Sequence, residues 1–293
     1  MLPNFIIVGA AKSGTTSLYH YLSEHPDVFM TNPKEVNYFS AEEITQQGLY
    51  YKDHKTPSFE AYKELFIGSE GVKAVGEGSV SYLFYPETPQ KIHALLPDVK
   101  IIILLRNPID RGFSHFLMDQ RLGLVDLEYK DIIFNTKPHE KMHLYFQQYV
   151  ELGLYFNQVK RYIDLFGKDR VKIYLNEDLR SDLGAVIDDL YVFLQLDKSE
   201  KPNLEKQHNT FTMPNNRLIA QLYKSHFIRG ALSKIVPEKL KEKALNTFFN
   251  KTEKPTLSDA ERARLHEIYD EDIKQLALLI DRDLSHWCEK RST

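Results

Sequence analysis

The sequence predicts an α/β fold, a doubly wound parallel sheet flanked by helices and followed by a helical C-terminal region, on three observations. Short apolar runs bounded by turn signals recur at Phe5–Val8, Val72–Val75, Val99–Leu105 and Val171–Leu175, as buried parallel strands do. Segments of helical period lie between them. Lys12, Glu77, Arg106 and Glu177 each fall just after one of these runs, where the ligand crevice of an open α/β sheet lies.

Each element has its own local signal. Thr15–Glu24 reads as a helix that stops before His25-Pro26, since the residue before a proline is pushed out of the helical region. Thr88–Leu96 and Arg111–Arg121 each follow a proline-bearing turn, and Tyr155–Phe166 ends at Gly167. Ser181 is placed to cap a helix running to Leu194. Ser258 and Glu261 have the spacing of a capping box opening a long helix toward Ile280.

The 293 residues can bury a full core, and a formal charge of -3 gives no overall pull toward nucleic acid. The single cysteine, Cys288, makes no intrachain disulfide, which suits a reducing compartment, so a cytoplasmic location is expected. The opening MLPNFIIVGA has no basic n-region, and the run Ile101–Leu105 is far too short to span a bilayer. Neither a signal peptide nor an integral membrane association is expected.

The stretch GAAKSGTT is the most chemical part of the chain. Gly9 and Gly14 are separated by four residues on a loop leading from a strand into a helix, a phosphate-loop-like arrangement. Backbone N–H groups and the helix dipole make such a turn an anion site. A nucleoside-triphosphate loop carries its lysine directly after the second glycine, whereas here Thr15-Thr16 stand there and Lys12 precedes the glycine. The best later strand, IIILLR, ends in Arg106 where a magnesium-holding aspartate would be needed. The expected anion is therefore one met by cationic side chains more than by a divalent ion.

KSGTTSL, KEVNYF at Lys34–Phe39, GEGSVSYLF from Gly76 and LLRNPIDRGFSHF from Leu104 occur in that order. Together they resemble the PAPS-dependent sulfotransferases, especially the bacterial and heparan-sulfate-type branch. The resemblance is dense over Asn4–Phe116 and continues through GLYFNQVKRY and VKIYLNEDL to about Leu196. It implies one sulfotransferase domain over 1–293, with 1–200 as the nucleotide-binding core and 201–293 as a mainly helical extension carrying a loop over the nucleotide. It also implies that Lys12, Ser13, Gly14, Thr15 and Thr16 cradle the 5′-phosphosulfate, with Lys12 reaching the bridging oxygen as sulfonate departs. Arg106 and Ser114 match the family's pair on the 3′-phosphate, and Arg217 stands in a neighbourhood like the nucleotide-covering loop. No metal is required by this chemistry, and the products are 3′,5′-ADP (PAP) and a sulfonated hydroxyl or amine.

The family's heparan-type members use a glutamate from the segment matched by KEVNYF as general base, which carries over to Glu35. Two departures concern the acceptor: Asn37 stands where such enzymes often have histidine, and Gly78 where they have lysine. The acceptor, a glycan, glycolipid or small metabolite, is not specified, nor is the oligomeric state. Tyr82, His115 and the segment HLYFQQYVELGLY are candidates for its pocket or for the core. Residues 207–254 hold nine Lys/Arg against three Asp/Glu, either a solvated face or an anion-attracting one.

Two other chemistries compete. A P-loop kinase is disfavoured by the lysine and aspartate positions just described. HEKMH at 139–143 is a literal H-E-x-x-H and raises a zinc metallohydrolase, which needs both histidines on one helical face and a third ligand. Pro138 places His139 at a helix start, against that geometry. A nucleotide-binding regulator without turnover is a third possibility, opposed by the presence of both Lys12 and Glu35.

Overall fold

The computed structural model describes residues 1–51, 56–200, 202, 213–214, 249–250 and 255–289. Five strands form one parallel sheet: β1 Phe5–Gly9, β2 Val28–Met30, β3 Ala74–Gly78, β4 Lys100–Leu105 and β5 Val171–Leu175. Their order is β2-β3-β1-β4-β5. The chain leaves β1 toward one edge and β4 toward the other, so the switch point lies between the carboxyl ends of these two neighbours.

The central strands β1 and β4 read as nearly continuous apolar runs because both faces are covered. Ile6, Val8, Ile101, Ile103 and Leu105 belong to the core on one face, and Phe5, Ile7, Ile102 and Leu104 to that on the other. Burying each such side chain is worth about 1.5–3 kcal/mol. Helices α1 Thr15–Ser23 and α10 Leu183–Leu194 cover the second face, contributing Leu18, Leu22, Ile187 and Leu190. The first is covered by α4 Thr88–Leu95, α5 Pro108–Leu122, α8 Tyr155–Phe166 and α11 Asp259–Ile280. Shorter helices are α2 Ala41–Gln47, α3 Phe59–Glu64, α6 Tyr129–Ile133, α7 Met142–Tyr149, α9 Asn176–Ser181 and α12 Ser285–Cys288.

Several ends differ from the sequence reading for identifiable reasons. Helix α5 begins at Pro108, three residues before Arg111, because Asn107 caps it by accepting from the amides of Ile109 (3.0 Å) and Asp110 (3.3 Å) and proline suits the first helical position. Asp182, not Ser181, caps α10, accepting from Ala185 N at 2.9 Å. Ser181 closes α9 instead, its hydroxyl donating to the Asp178 carbonyl. Strand β3 runs to Gly78, so Glu77 lies inside the strand rather than after it. The capping box of α11 forms as expected: Ser258 Oγ accepts from Glu261 N, and Glu261 Oε2 accepts from Ser258 N.

The C-terminal helices are tied into the core. Leu265, Tyr269, Ile273 and Leu276 of α11 join the buried cluster of the first face. The Asp272 carboxylate accepts from the leading amides of α8, Tyr155 N at 2.7 Å and Phe156 N at 3.2 Å. Trp287 is buried and donates through Nε1 to Glu177 at 3.1 Å, so Glu177 anchors the C-terminus and does not reach the crevice. Arg217 and nearly all of the basic stretch 207–254 lie outside the described residues.

Candidate active site

The loop after β1 and the loop after β4 meet at the switch point. Ala10 N donates to Leu104 O at 2.6 Å, and Arg106 Nη1 donates to the Lys12 carbonyl at 3.1 Å. Gly14 precedes α1 with φ 106°, and a Cβ there would stand 3.2 Å from Asn176 Nδ2 and 3.4 Å from Leu104. Asn176 braces the loop by donating to the Ser13 carbonyl at 2.8 Å. A non-glycine residue at position 14 would thus be strained and crowded together.

Above this junction opens a cavity of about 870 Å³, within the range of small-molecule sites. Lys12, Gly14, Thr15, Thr16, Glu35, Arg106 and Ser114 all line it. Ser13 does not; it is fully buried beneath the loop. The wall also carries Lys34, Arg121 and Arg180, so among the described residues five Lys/Arg side chains face one carboxylate, Glu35. Burial holds Arg106 below the ordinary guanidinium range, and the charge of Arg180 acts in the same direction. Such a wall is built to receive several negative charges at once.

Glu35 is fixed from three sides. Its amide donates to the Gly78 carbonyl at 2.9 Å, its Oε2 accepts from Val80 N at 2.9 Å, and its Oε1 pairs with Lys34 Nζ. Its φ is 65°, with Lys12 at 68° and Asn37 at 53° also in the left-handed region. That region costs about 1–2 kcal/mol per residue, and such outliers gather where a site holds side chains in set directions. Asn37 is held by its own contacts, donating through its amide to Ser79 Oγ at 3.0 Å and accepting from Ser81 Oγ at 2.7 Å.

Glu77 has a different place. It is completely buried and accepts from Tyr62 at 2.6 Å and from Ser79 and Tyr82 at 3.3 Å. Burial raises its pKa to about 7, against the lowering effect of those three donors. Tyr82 is therefore a core partner of Glu77 and not part of the cavity wall. From HLYFQQYVELGLY, Gln148 and Leu152 reach the wall, while Tyr145 and Tyr149 are buried.

The wall also includes Tyr51 and His115. Tyr51 Oη lies 2.8 Å from His115 Nε2 and hydrogen-bonds the buried carboxylate of Asp119. Lys12 Nζ donates to Met118 Sδ at 3.3 Å, on the same helix as His115 and Asp119. Sequence reasoning missed Lys34, Tyr51, Arg121, Arg180 and Asp119 as neighbours of the site. Lys34 stands beside Glu35 in the KEVNYF motif, and Asp119 and Arg121 lie on the helix that carries Ser114; Tyr51 and Arg180 come from segments that only the fold brings together.

The H-E-x-x-H match does not have its helical geometry. Helix α7 starts at Met142, after His139, whose Nε2 lies 3.3 Å from Asp126 and whose Nδ1 accepts from Lys141 N. His143 is exposed, so the two histidines do not share one buried helical face.

The model of the sulfotransferase domain family matches residues 2–277. The chain belongs to the sulfotransferase domain family. This is the family that the ordered motifs resemble, and it displaces the kinase and zinc-hydrolase readings. A crystal structure of a sulfotransferase from Alicyclobacillus acidocaldarius is similar over 99% of this chain and 100% of that one, with 31% identity and a TM-score of 0.72. The membrane-associated sulfotransferase kil1 of Dictyostelium discoideum is 37% identical over 116 residues, 39% of this chain and 22% of that protein. A mouse bifunctional heparan sulfate N-deacetylase/N-sulfotransferase is 28% identical over 204 residues, 66% of this chain and 22% of that protein. The chain thus spans about a fifth of the length of these curated relatives. No helix among the described residues is long and apolar enough to cross a membrane.

Proposed function

We propose that the chain transfers a sulfonate group from PAPS to a hydroxyl or amine, with the cavity at the switch point as its active site. The observation that carries this reading is the wall of five cationic side chains around a glycine-bearing loop, with a single carboxylate facing them. PAPS fits that donor set, since it brings a 5′-phosphosulfate and a 3′-phosphate, and Gly14 supplies the left-handed turn (φ 106°) that leads the loop into α1, whose N-terminus favours an anion. Lys12, Thr15 and Thr16 hold the phosphosulfate end, and Arg106 with Ser114 holds the 3′-phosphate. Lys12 stabilises charge on the oxygen left behind as the S–O bond breaks.

Glu35 is the general base. The acceptor's O–H or N–H proton passes to its carboxylate as the new bond to sulfur forms, and the sulfonate leaves 3′,5′-ADP behind. Val80 N and Lys34 keep the carboxylate on the wall where an acceptor must approach. The acceptor is a small molecule or a carbohydrate. The single cysteine supports a reducing, cytoplasmic setting. The helices of 255–289, packed into the sheet's own core, support one domain rather than two.

Thermal unfolding in the presence of chelator tests the donor. A ligand that binds only the native state raises the melting temperature, so 3′,5′-ADP is expected to raise it well above the effect of ATP with magnesium. Equal shifts from the two nucleotides would remove the PAPS reading. A labelled-PAPS screen against metabolite and envelope extracts then identifies the acceptor.

A further inference from the structure

The loop that carries Glu35 runs from β2 to α2 over residues 31–40 without helix or strand, so side-chain contacts and packing must fix its course. Glu35 and Asn37 stand in the left-handed region, at φ 65° and 53°. A loop leaves such conformations unless its surroundings hold it there. Glu77 does not line the cavity, yet its three hydrogen-bond donors all touch this loop. Ser79 Oγ donates to Glu77 Oε2 at 3.3 Å and accepts from Asn37 N at 3.0 Å. Tyr82 Oη donates to the same oxygen at 3.3 Å and accepts from Phe39 N at 3.4 Å. Tyr62 Oη donates to Glu77 Oε1 at 2.6 Å, and its ring stacks on Tyr38 with centroids 4.5 Å apart. One buried carboxylate thus roots the holds on residues 37, 38 and 39.

We propose that Glu77 is a positioning residue, which sets the place of Glu35 on the cavity wall through Ser79, Tyr82 and Tyr62. The inference rests on the reading of Glu35 as general base. A hydroxyl carries one proton and two lone pairs. With the O–H directed at Glu77, a lone pair of Ser79 and one of Tyr82 remain for the loop amides. A buried hydroxyl that loses its acceptor turns to find another, and the amide it was receiving loses its partner with it. Two direct bonds, from Glu35 N to the Gly78 carbonyl and from Val80 N to Glu35 Oε2, fix position 35 itself. The holds on residues 37 to 39 keep the chain from swinging about those two points. Glu77 to Val80 are consecutive, so the anchor and the direct bonds belong to one segment at the end of β3. The reaction depends on this placement because a base acts only within hydrogen-bond reach of the proton it removes.

The test is a double-mutant cycle on the full chain, read as the label passed in a single turnover from labelled PAPS into metabolite and envelope extracts. Glu77→Gln keeps the size of the side chain but turns one accepting oxygen into an N–H donor. It is expected to slow transfer roughly 10- to 100-fold, the scale for a reacting group displaced by about 1 Å, while 3′,5′-ADP affinity stays within about threefold. Added to Glu35→Gln, the same substitution is expected to cost less than about twofold, because no base is left to misplace. Equal slowing in both backgrounds, or none in either, would overturn the positioning role and leave Glu77 a core residue. A Glu35→Gln enzyme as fast as the wild type would instead overturn the reading of the base, and this inference with it. Failure of the wild type to pass any label would overturn the transfer reading in the same way. Should Glu77→Gln lose 3′,5′-ADP binding, Tyr62→Phe decides by the same cycle, since it keeps the ring on Tyr38 and removes only the hydroxyl.

Discussion

The backbone amide of Val80 donates to Oε2 of Glu35 at 2.9 Å, joining the segment after β3 to the carboxylate that faces the cavity. A side-chain amide at position 35 can still accept that bond through its oxygen, but it cannot take a proton from an acceptor at neutral pH. Glu35→Gln is therefore expected to slow transfer by roughly 10² to 10⁴ while 3′,5′-ADP affinity stays within a few-fold. Single-turnover transfer from labelled PAPS to an acceptor found in the extract screen, beside calorimetric titration, checks both halves. Near-normal transfer would move the base elsewhere on the wall.

Arg106 sits where the loop after β4 meets the loop after β1, donating to the Lys12 carbonyl at 3.1 Å while its side chain lines the cavity. Its proposed ligand is the 3′-phosphate, so its removal should erase selectivity between nucleotides more than it destroys the fold. Arg106→Ala is expected to cut the preference for 3′,5′-ADP over 5′-AMP by about 10- to 100-fold, the range for a lost charge-assisted hydrogen bond. An unchanged preference would leave Arg106 as a brace for the loop alone.

Glu77 gives a stability signature independent of any ligand. Its folded pKa of about 7 lies above the ordinary value of 4.5, so the native state binds the proton more tightly than the unfolded chain does. Stability from this group is fully present below the unfolded value and is lost as pH rises through about 7. The loss amounts to about 3 kcal/mol for a group this deeply buried. Glu77→Gln is expected to flatten the fall in melting temperature between pH 5 and 8. A variant with the same pH slope as the wild type would mean that Glu77 is not the titrating group.

The sheet was legible because β1, β4 and β5 are mostly apolar runs; β3 was met only at Ala74 and Val75, since Gly76-Glu77-Gly78 breaks the apolar pattern. Strand β2, Val28–Met30, escaped because three residues carry no period. The cradle could be read because its chemistry is local: Gly14, Lys12 and the threonines are consecutive. Arg180 and Tyr51 could not be read, since one lies on a helix after β5 and the other after α2, and only the closed sheet brings them to one cavity. Glu77 was placed at a strand end from its sequence position. The tyrosines that enclose it come from residues 62 and 82, and nothing local announces their convergence.

The Lys34 stem lies along the end of β3, its Cε 3.7 Å from where a Cβ on Gly78 would stand. From there its ammonium pairs with Glu35 and faces the cavity. In the resting site Lys34 holds the carboxylate in place. If Glu35 takes the proton, as proposed, its carboxylate becomes neutral and the ammonium is left to stabilise the oxygens of the sulfonate in transit. In these proposed roles Lys34 acts on transfer more than on nucleotide binding, which the other four cations of the wall carry. Lys34→Met keeps the length of the stem and removes the charge, so transfer is expected to fall roughly 10- to 100-fold, as when one electrostatic donor of an active site is lost. The affinity for 3′,5′-ADP should change less than threefold. Lys34→Arg should recover part of the rate, because a guanidinium restores the charge with a different reach. Loss of nucleotide affinity in step with the rate would place Lys34 on the donor instead of beside the base.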